Sequence, residues 1–389
     1  MTQFDQAFFD TVLDRKGTNS VKWSKPGVCP EGHIPLWVAD MDFVCAPAIT
    51  QALLERAKHP SYGYTFISDE DTAALCNWWD RRHGVSILPE HIGFLPSVVT
   101  GLRVTVEEFT KEGEGVIIQS PVYGPFFSSI QQAGRVVLEA HMKQGEDGRY
   151  HMDLAAVEDF LKQGAKMMIL CSPHNPVGRA WQQGELSALI SLLGQYDCAL
   201  VSDEIHADFV YEPLKFTSTL SLDYDKLVVL AAASKTFSVP GLQQANLICA
   251  NEEIIQSMNN MLERHGVECG NIFALTGTRA AYNEGDAWLD GLLGYLDESR
   301  SVLEDKLAEL LPQSKLTPIE ASYLAWVDMR AYGLSNQELY RRCEEKLVLP
   351  LSGQNFGKEA GEGFMRINFG CPRAQLIQGL ERFAEAVKG

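Results

Sequence analysis

Short apolar runs alternate with amphipathic helical patterns through the middle of the chain. Four of these runs predict buried strands, and they span residues 114–123, 166–173, 198–205 and 226–235. Each is short and almost continuously apolar, as parallel strands covered on both faces are. The stretch 184–196 between two of them carries apolar residues at three- and four-residue spacing, which is typical of a helix packed on a sheet. We therefore expect an α/β fold with right-handed βαβ units around a mostly parallel sheet.

The pattern changes near residue 283. A long helical pattern over 283–310 is followed by shorter segments that read alternately as strand and helix. This change predicts a second, smaller α+β unit. We expect a large domain over residues 46–282 and a small C-terminal domain over 283–389. Residues 1–45 are expected to form an arm that belongs partly to the small domain or crosses a partner.

Composition narrows the class of protein. The chain has 389 residues, of which 46% are hydrophobic, so it can bury a large core. A net charge of −18 disfavours a nucleic-acid surface, and no apolar run approaches the ~18 residues that span a bilayer. The N-terminus lacks the pattern of a signal peptide, and nine cysteines are scattered without metal-binding spacing. We expect a cytoplasmic protein that binds neither nucleic acid nor membrane.

Polar and aromatic side chains follow all four predicted strands. They are Ser120 and Tyr123; Ser172, His174 and Asn175; Ser202, Asp203 and His206; and Ser234 and Lys235. Ligands of parallel α/β sheets bind beyond the carboxyl ends of the strands. The sequence therefore predicts one site at this edge of the sheet.

Two other kinds of site fit these residues less well. One is a zinc or iron centre, with candidate ligands in Cys171, His174, Asp203 and His206. It lacks a partner motif such as HExxH and leaves Lys235 and Tyr123 without a role. The other is a Rossmann dinucleotide site, but no GxGxxG follows a predicted strand. We predict no metal.

A lysine in apolar surroundings points to pyridoxal 5′-phosphate (PLP). Burial lowers the pKa of such a lysine, so that its amine becomes a nucleophile for an aldehyde, and PLP is an aldehyde. The ring nitrogen of PLP also requires a carboxylate beside it, and its phosphate requires N–H groups at a helix start. The corresponding candidates are Lys235 for the aldehyde, Asp203 for the ring nitrogen, Tyr123 for the ring face, Asn175 for the phenolic oxygen, and Ser234 with the turn at Pro96–Ser97 for the phosphate.

Seven segments in this order resemble a known family. They are "PLWVADMDF", "YGYT", "SPVYGPFF", "SPHNPVGR", "SDEIHAD", "SYLAWVDMR" and "GFMRINFGCPR". The chain is similar to the fold-type-I PLP enzymes of the aminotransferase class, and within them to the MalY/PatB-type carbon–sulfur lyases, or cystathionine β-lyases. The likeness runs from near residue 20 to the end. It implies a fold-type-I PLP-dependent transferase fold with a large and a smaller domain.

The resemblance also implies roles for individual residues. The catalytic residues would be Lys235, Asp203 and Tyr123. The cofactor would be held by Val98, Val99, Tyr123, Asn175, Asp203, His206, Ser234 and Lys235, with Tyr64 reaching the phosphate of a neighbouring subunit. The substrate would meet Arg366, Val38 and Tyr64, with Arg366 binding its α-carboxylate. The active unit would therefore be a homodimer.

The implied reaction is β-elimination of L-cystathionine or related cysteine S-conjugates to pyruvate, ammonia and a thiol. Two departures from typical aminotransferases favour this branch: Gln243 stands where many carry an arginine, and His206 stands where a tyrosine is common. An aminotransferase is the alternative, because both reactions begin with the same proton removal. A PLP-binding regulator is a remote third, since residues 1–45 are too short and acidic for a helix-turn-helix domain.

Overall fold

A computed structural model describes residues 4–267 and 270–389. Its helices are α1 Gln6–Phe9, α2 Val21–Ser24, α3 Pro47–Lys58, α4 Asp69–His83, α5 Val98–Phe109, α6 Gly124–Gln132, α7 Leu154–Lys162, α8 Gln183–Gln195, α9 Ala233–Thr236, α10 Glu252–Arg264, α11 Ile272–Glu284, α12 Asp286–Leu310, α13 Asn336–Glu345 and α14 Arg373–Lys388. Its strands are β1 Ile34–Pro35, β2 Ile92–Leu95, β3 Gly115–Ile118, β4 Val136–Glu139, β5 Lys143–Gln144, β6 Tyr150–His151, β7 Met167–Cys171, β8 Ala199–Asp203, β9 Leu227–Ala231, β10 Ala245–Ile248, β11 Lys315–Leu316, β12 Leu324–Asp328, β13 Val348–Leu349, β14 Leu351–Ser352 and β15 Phe364–Asn368. None of the helices described is long and apolar enough to cross a membrane.

A seven-stranded sheet forms the centre of the larger part of the molecule. Its order is β2-β10-β9-β8-β7-β3-β4, and every pairing is parallel except the two made by β10. All residues of β7, β8 and β9 are buried, because helices cover both faces of the sheet. The predicted fold class, a mostly parallel sheet flanked by helices, is confirmed.

The predicted strands are too long at their carboxyl ends. They begin within one residue of β3, β7, β8 and β9, but those strands end at Ile118, Cys171, Asp203 and Ala231. Beyond β3 the chain turns through Pro121, and a proline cannot donate to a ladder. Beyond β9 the chain enters the one-turn helix α9, so the interpretation of Lys235 as the end of a strand is wrong.

A second, antiparallel sheet lies in the C-terminal part, with the order β11-β12-β15-β14. The predicted long helix is present as α12 and begins at Asp286. The N-terminal segment joins this part, because β1 pairs in parallel with β13. The proposed division at residues 46 and 283 remains a prediction.

Helix α5 is positioned so that its first turn reaches the carboxyl edge of the central sheet. The hydroxyl of Ser97 caps it by accepting a hydrogen bond of 3.2 Å from the Thr100 N–H. At Gly101 the helix approaches the sheet so closely that an added Cβ would lie 2.7 Å from Leu230 Cδ2 and 2.8 Å from Leu95 Cδ1. This close approach depends on the absence of a side chain at position 101.

We expect Gly101→Val to lower the free energy of unfolding by about 1–3 kcal/mol, because two core leucines must move. Gly184→Val is the matched control. Gly184 also lies in a helix, but an added Cβ there meets nothing within 4 Å. Its effect should stay within about 0.5 kcal/mol. Urea unfolding of both variants tests this, and equal losses at the two positions would contradict the close packing.

Candidate active site

A cavity of about 170 Å³ lies at the carboxyl edge of the parallel strands. It brings together eight residues that the sequence singles out: Val98, Val99, Tyr123, Asn175, Asp203, His206, Ser234 and Lys235. The cavity is also lined by residues to which sequence reasoning gave no cofactor role, among them Ala39, Cys171, Ile205 and Gln244. The predicted strand ends therefore converge on one site.

Lys235 projects into this cavity from α9. Its Nζ donates a hydrogen bond of 2.7 Å to the carbonyl oxygen of Ala39. Burial lowers the pKa of Lys235 to about 8, and the nearby charge of Arg366 acts in the same direction. At pH 7 about one-tenth of these amines are then neutral, a far larger fraction than for an exposed lysine. The amine is therefore available as a nucleophile and as a base.

Asp203 and Glu204 are adjacent buried carboxylates with different surroundings. Glu204 accepts hydrogen bonds from Ser202, Ser218 and Thr219. In the part of the chain that the structure describes, the carboxylate of Asp203 has one donor, the Ile205 N–H at 3.2 Å. Burial raises the pKa of Asp203 to about 7. The carboxylate of Glu204 is thus satisfied by hydrogen bonds within the fold. The carboxylate of Asp203 faces the cavity and can accept further hydrogen bonds.

Arg366 lies behind the cavity on β15 and reaches it through Asn175. Its Nη1 donates 3.2 Å to Asn175 Oδ1, its Nη2 donates to the Trp37 carbonyl, and its guanidinium lies 4.9 Å from the centre of the Phe356 ring. Burial lowers the pKa of Arg366 to about 10, so it stays cationic at neutral pH. A buried cation of this kind is prepared to bind a carboxylate.

His206 has an unpartnered ring nitrogen at the cavity. Its Nδ1 is buried and has no hydrogen-bond partner among the described residues. Burial lowers the pKa of His206 to about 3, so the ring is neutral. A neutral ring nitrogen that lacks a partner fits a polar group of a bound molecule.

The metal alternative gains no support from the geometry. His174 Nε2 lies 2.9 Å from the carbonyl of Pro121, and His174 does not line the cavity. Within residues 4–267 and 270–389, no three His, Cys, Asp or Glu side chains are grouped to hold a metal ion.

Three predicted residues do not line the cavity of their own chain. Arg366 is joined to it through Asn175, and Val38 directly precedes the lining residue Ala39. Tyr64 is fully exposed. Ala39 was not predicted, because it contacts Lys235 through its backbone carbonyl, a group that every residue type has. Gln244 could have been found from its position beside Gln243.

A family model for aminotransferase class I and II matches residues 32–383. The chain belongs to this family. Among family members, the cystathionine beta-lyase PatB of Bacillus subtilis is 40% identical over 386 residues, covering 97% of this chain and 99% of PatB. Cystalysin from Treponema denticola, whose crystal structure contains PLP, superposes with a TM-score of 0.93 at 30% identity, covering 100% of this chain and 99% of that one. A PLP-bound C–S lyase from Staphylococcus hominis gives a TM-score of 0.90 at 30% identity, covering 98% of each chain. The predicted resemblance to the MalY/PatB branch is confirmed.

The residues of this family member's cavity fit PLP. The buried carboxylate of Asp203 can accept a hydrogen bond from a ring N–H, and the amine of Lys235 can react with an aldehyde. The first N–H groups of α5 at Val98 and Val99 have no acceptor within the helix and line the same cavity, as a phosphate requires.

The raised pKa of Asp203 predicts a pH-dependent effect on stability. Its folded pKa lies above its unfolded value, so its ionisation destabilises the cofactor-free protein progressively between about pH 4 and pH 7 and by a constant amount above. We expect Asp203→Asn to raise the free energy of unfolding of the cofactor-free protein by about 1–4 kcal/mol above pH 7 and to leave it unchanged near pH 4. Urea unfolding at both pH values tests this, and an identical difference at both would contradict it.

Proposed function

We propose that this protein is a PLP-dependent carbon–sulfur β-lyase that converts L-cystathionine or related cysteine S-conjugates to pyruvate, ammonia and a thiol. The observation that carries the proposal is one cavity that holds an amine with a pKa of about 8 and a carboxylate with a pKa of about 7. The names of PatB and of the Staphylococcus hominis enzyme support a lyase of this type. A cytoplasmic location remains a prediction.

In this proposal each cavity wall holds one part of PLP. Asp203 would bind the ring nitrogen, Tyr123 would pack against the ring, and Asn175 and His206 would lie beside its phenolic oxygen. The phosphate would meet Val98, Val99 and Ser234, which line the same cavity. Burial raises the pKa of the Tyr123 hydroxyl, so this side chain stays neutral at physiological pH.

When bound, PLP supplies an aldehyde that takes up the substrate amine and a ring that withdraws electrons from the substrate Cα. The neutral amine of Lys235 then removes the proton from that Cα. Asp203 would hold the ring N–H as an ionised carboxylate, because an opposite charge lowers the pKa that burial has raised.

Arg366 orients the substrate in this scheme. Its two terminal nitrogens suit a bidentate contact with the α-carboxylate, which would replace the present contacts with Asn175 Oδ1 and the Trp37 carbonyl. Fixing the carboxylate also fixes the direction of the Cα–H bond relative to Lys235. Burial of the guanidinium strengthens this contact because little water competes for it.

Elimination and transamination share these steps, so the product decides between them. We expect PLP-loaded protein to form pyruvate, ammonia and homocysteine in equal amounts from L-cystathionine without a keto acid. Lys235→Ala should lose this activity, because Asp203 and His206, the other basic groups of the cavity, are assigned to the ring nitrogen and the phenolic oxygen of PLP and not to the substrate Cα. A protein that forms no pyruvate but transfers the amino group once a keto acid is added would instead be an aminotransferase.

We further propose that the active unit is a homodimer in which Tyr64 crosses to the partner's site. Tyr62, Tyr64 and Phe66 lie within five residues of one another, and all three are exposed. An exposed aromatic cluster of this kind is typical of a surface that another protein covers.

Mixed dimers test the crossing. Tyr64→Ala and Lys235→Ala should each be nearly inactive alone. After dissociation and random reassociation, about a quarter of wild-type activity should return, because half of the dimers contain one intact site. No return of activity would contradict the crossing, since Tyr64 would then serve its own chain.

A further inference from the structure

An irregular segment, Trp37–Met41, borders the candidate active site through Ala39, and we call it the strap. Its Ala39 carbonyl accepts hydrogen bonds from Lys235 Nζ at 2.7 Å and from the Tyr323 hydroxyl at 3.1 Å. Its Trp37 carbonyl accepts from Arg366 Nη2. Backbone oxygens of one short segment thus contact both the proposed base and the proposed carboxylate-binding group.

The strap has no strand or helix hydrogen bonding of its own. Side chains from other parts of the fold hold its backbone instead. Asn368 Nδ2 donates to the carbonyls of Val38 and Asp40, and Ser238 Oγ accepts from the Met41 N–H at 2.8 Å. The position of the strap therefore depends on what fixes its two ends.

A compact charge cluster fixes the C-terminal end of the strap. It consists of Arg15, Lys22, Asp40 and Asp42. The Asp42 carboxylate accepts from Lys22 Nζ at 2.8 Å, Arg15 Nη1 at 2.5 Å, Trp23 Nε1 at 2.8 Å and Gln375 Nε2 at 3.0 Å. Lys22 also donates 2.9 Å to the Asp40 carbonyl. The cluster joins the N-terminal arm, the strap and helix α14 at one point.

The cluster is unusual in being both buried and charged. Lys22 and Asp42 have almost no exposed side-chain surface. Burial alone would raise the pKa of Asp42, but the charge of Lys22 and the hydrogen bonds from Lys22 and Trp23 lower it, so the carboxylate stays ionised. Buried ion pairs often contribute little net stability relative to apolar residues of the same size. We therefore infer that this cluster fixes the position of the strap and does not mainly stabilise the fold.

We propose that Asp42, with Lys22 and Arg15, is a positioning group that holds the strap over the site, so that the carbonyls of Ala39 and Trp37 bear on Lys235 and Arg366. None of the three touches the cavity. The inference rests on the proposed function where it concerns substrate binding. The placement of the strap itself is independent of the reaction.

Amide hydrogen exchange of the PLP-loaded protein tests this placement. Arg15→Gln removes contacts to Asp40, Met41 and Asp42, and Arg15 is exposed enough that the chain should still fold. Exchange of the Met41 and Asp42 amides, which donate to Ser238 Oγ and the Gly370 carbonyl, should become about tenfold faster. The helical amides of α14 should keep their rates.

Arg82→Gln is the matched control. Arg82 also pairs with two aspartates, Asp286 and Asp290, and its side chain is 20% exposed against 22% for Arg15. It contacts no part of the strap, so this variant should leave the Met41 and Asp42 amides unchanged. Unchanged rates in Arg15→Gln, or equal acceleration throughout the protein in both variants, would overturn the inference.

Steady-state kinetics supply a second readout. With L-cystathionine, Arg15→Gln should lower kcat/KM about fivefold, because a displaced strap disturbs its contacts with both Lys235 and Arg366. If the strap amides exchange faster but wild-type protein forms no pyruvate, the positioning inference stands and the lyase proposal fails. If pyruvate forms and the strap amides are unaffected, the positioning inference fails alone.

Discussion

The amine of Lys235 and the carboxylate of Asp203 share one cavity in which each makes few hydrogen bonds, and the arrangement of the site follows from this. Lys235 has the Ala39 carbonyl, and Asp203 has the Ile205 N–H. Burial in a low-dielectric cavity disfavours both charged forms, which lowers the pKa of Lys235 to about 8 and raises the pKa of Asp203 to about 7. The same shortage prepares the site for a cofactor that brings an aldehyde and a ring nitrogen.

The fold leaves Asp203 with few hydrogen bonds while it supplies the adjacent Glu204 with several. Asp203 ends β8, and it pairs in register with Cys171 on β7 and Leu230 on β9. Glu204, the next residue, turns into the fold and receives four hydrogen bonds from three residues. A one-residue shift along the strand would exchange the two environments. The register of three buried strands therefore decides which carboxylate faces the cavity.

Much of the site could be predicted from the sequence because it is carried by strand ends. Eight predicted residues line one cavity, since parallel strands deliver their carboxyl ends to one edge. The strand lengths were wrong because apolar character continues through the turns that follow, as in "AAAS" before Lys235. Within the strap, the resemblance placed Val38 at the site, but the contact of the Ala39 carbonyl with Lys235 was not predictable, because a backbone carbonyl is common to every residue type and the two residues lie 196 positions apart. Tyr64 is exposed and does not line the cavity of its own chain, so its predicted role stays a prediction.

The reversed strand β10 has a consequence for how the site assembles. Because β10 runs against its neighbours, the residues that precede it, Gln243 and Gln244, lie at the same edge as Lys235, which is eight and nine positions earlier in the chain. Contacts so close in sequence close a short loop and form early, whereas a contact spanning 196 residues waits for the whole chain. We expect the local contacts that place Gln243 and Gln244 beside Lys235 to form before the strap closes its contact with Lys235.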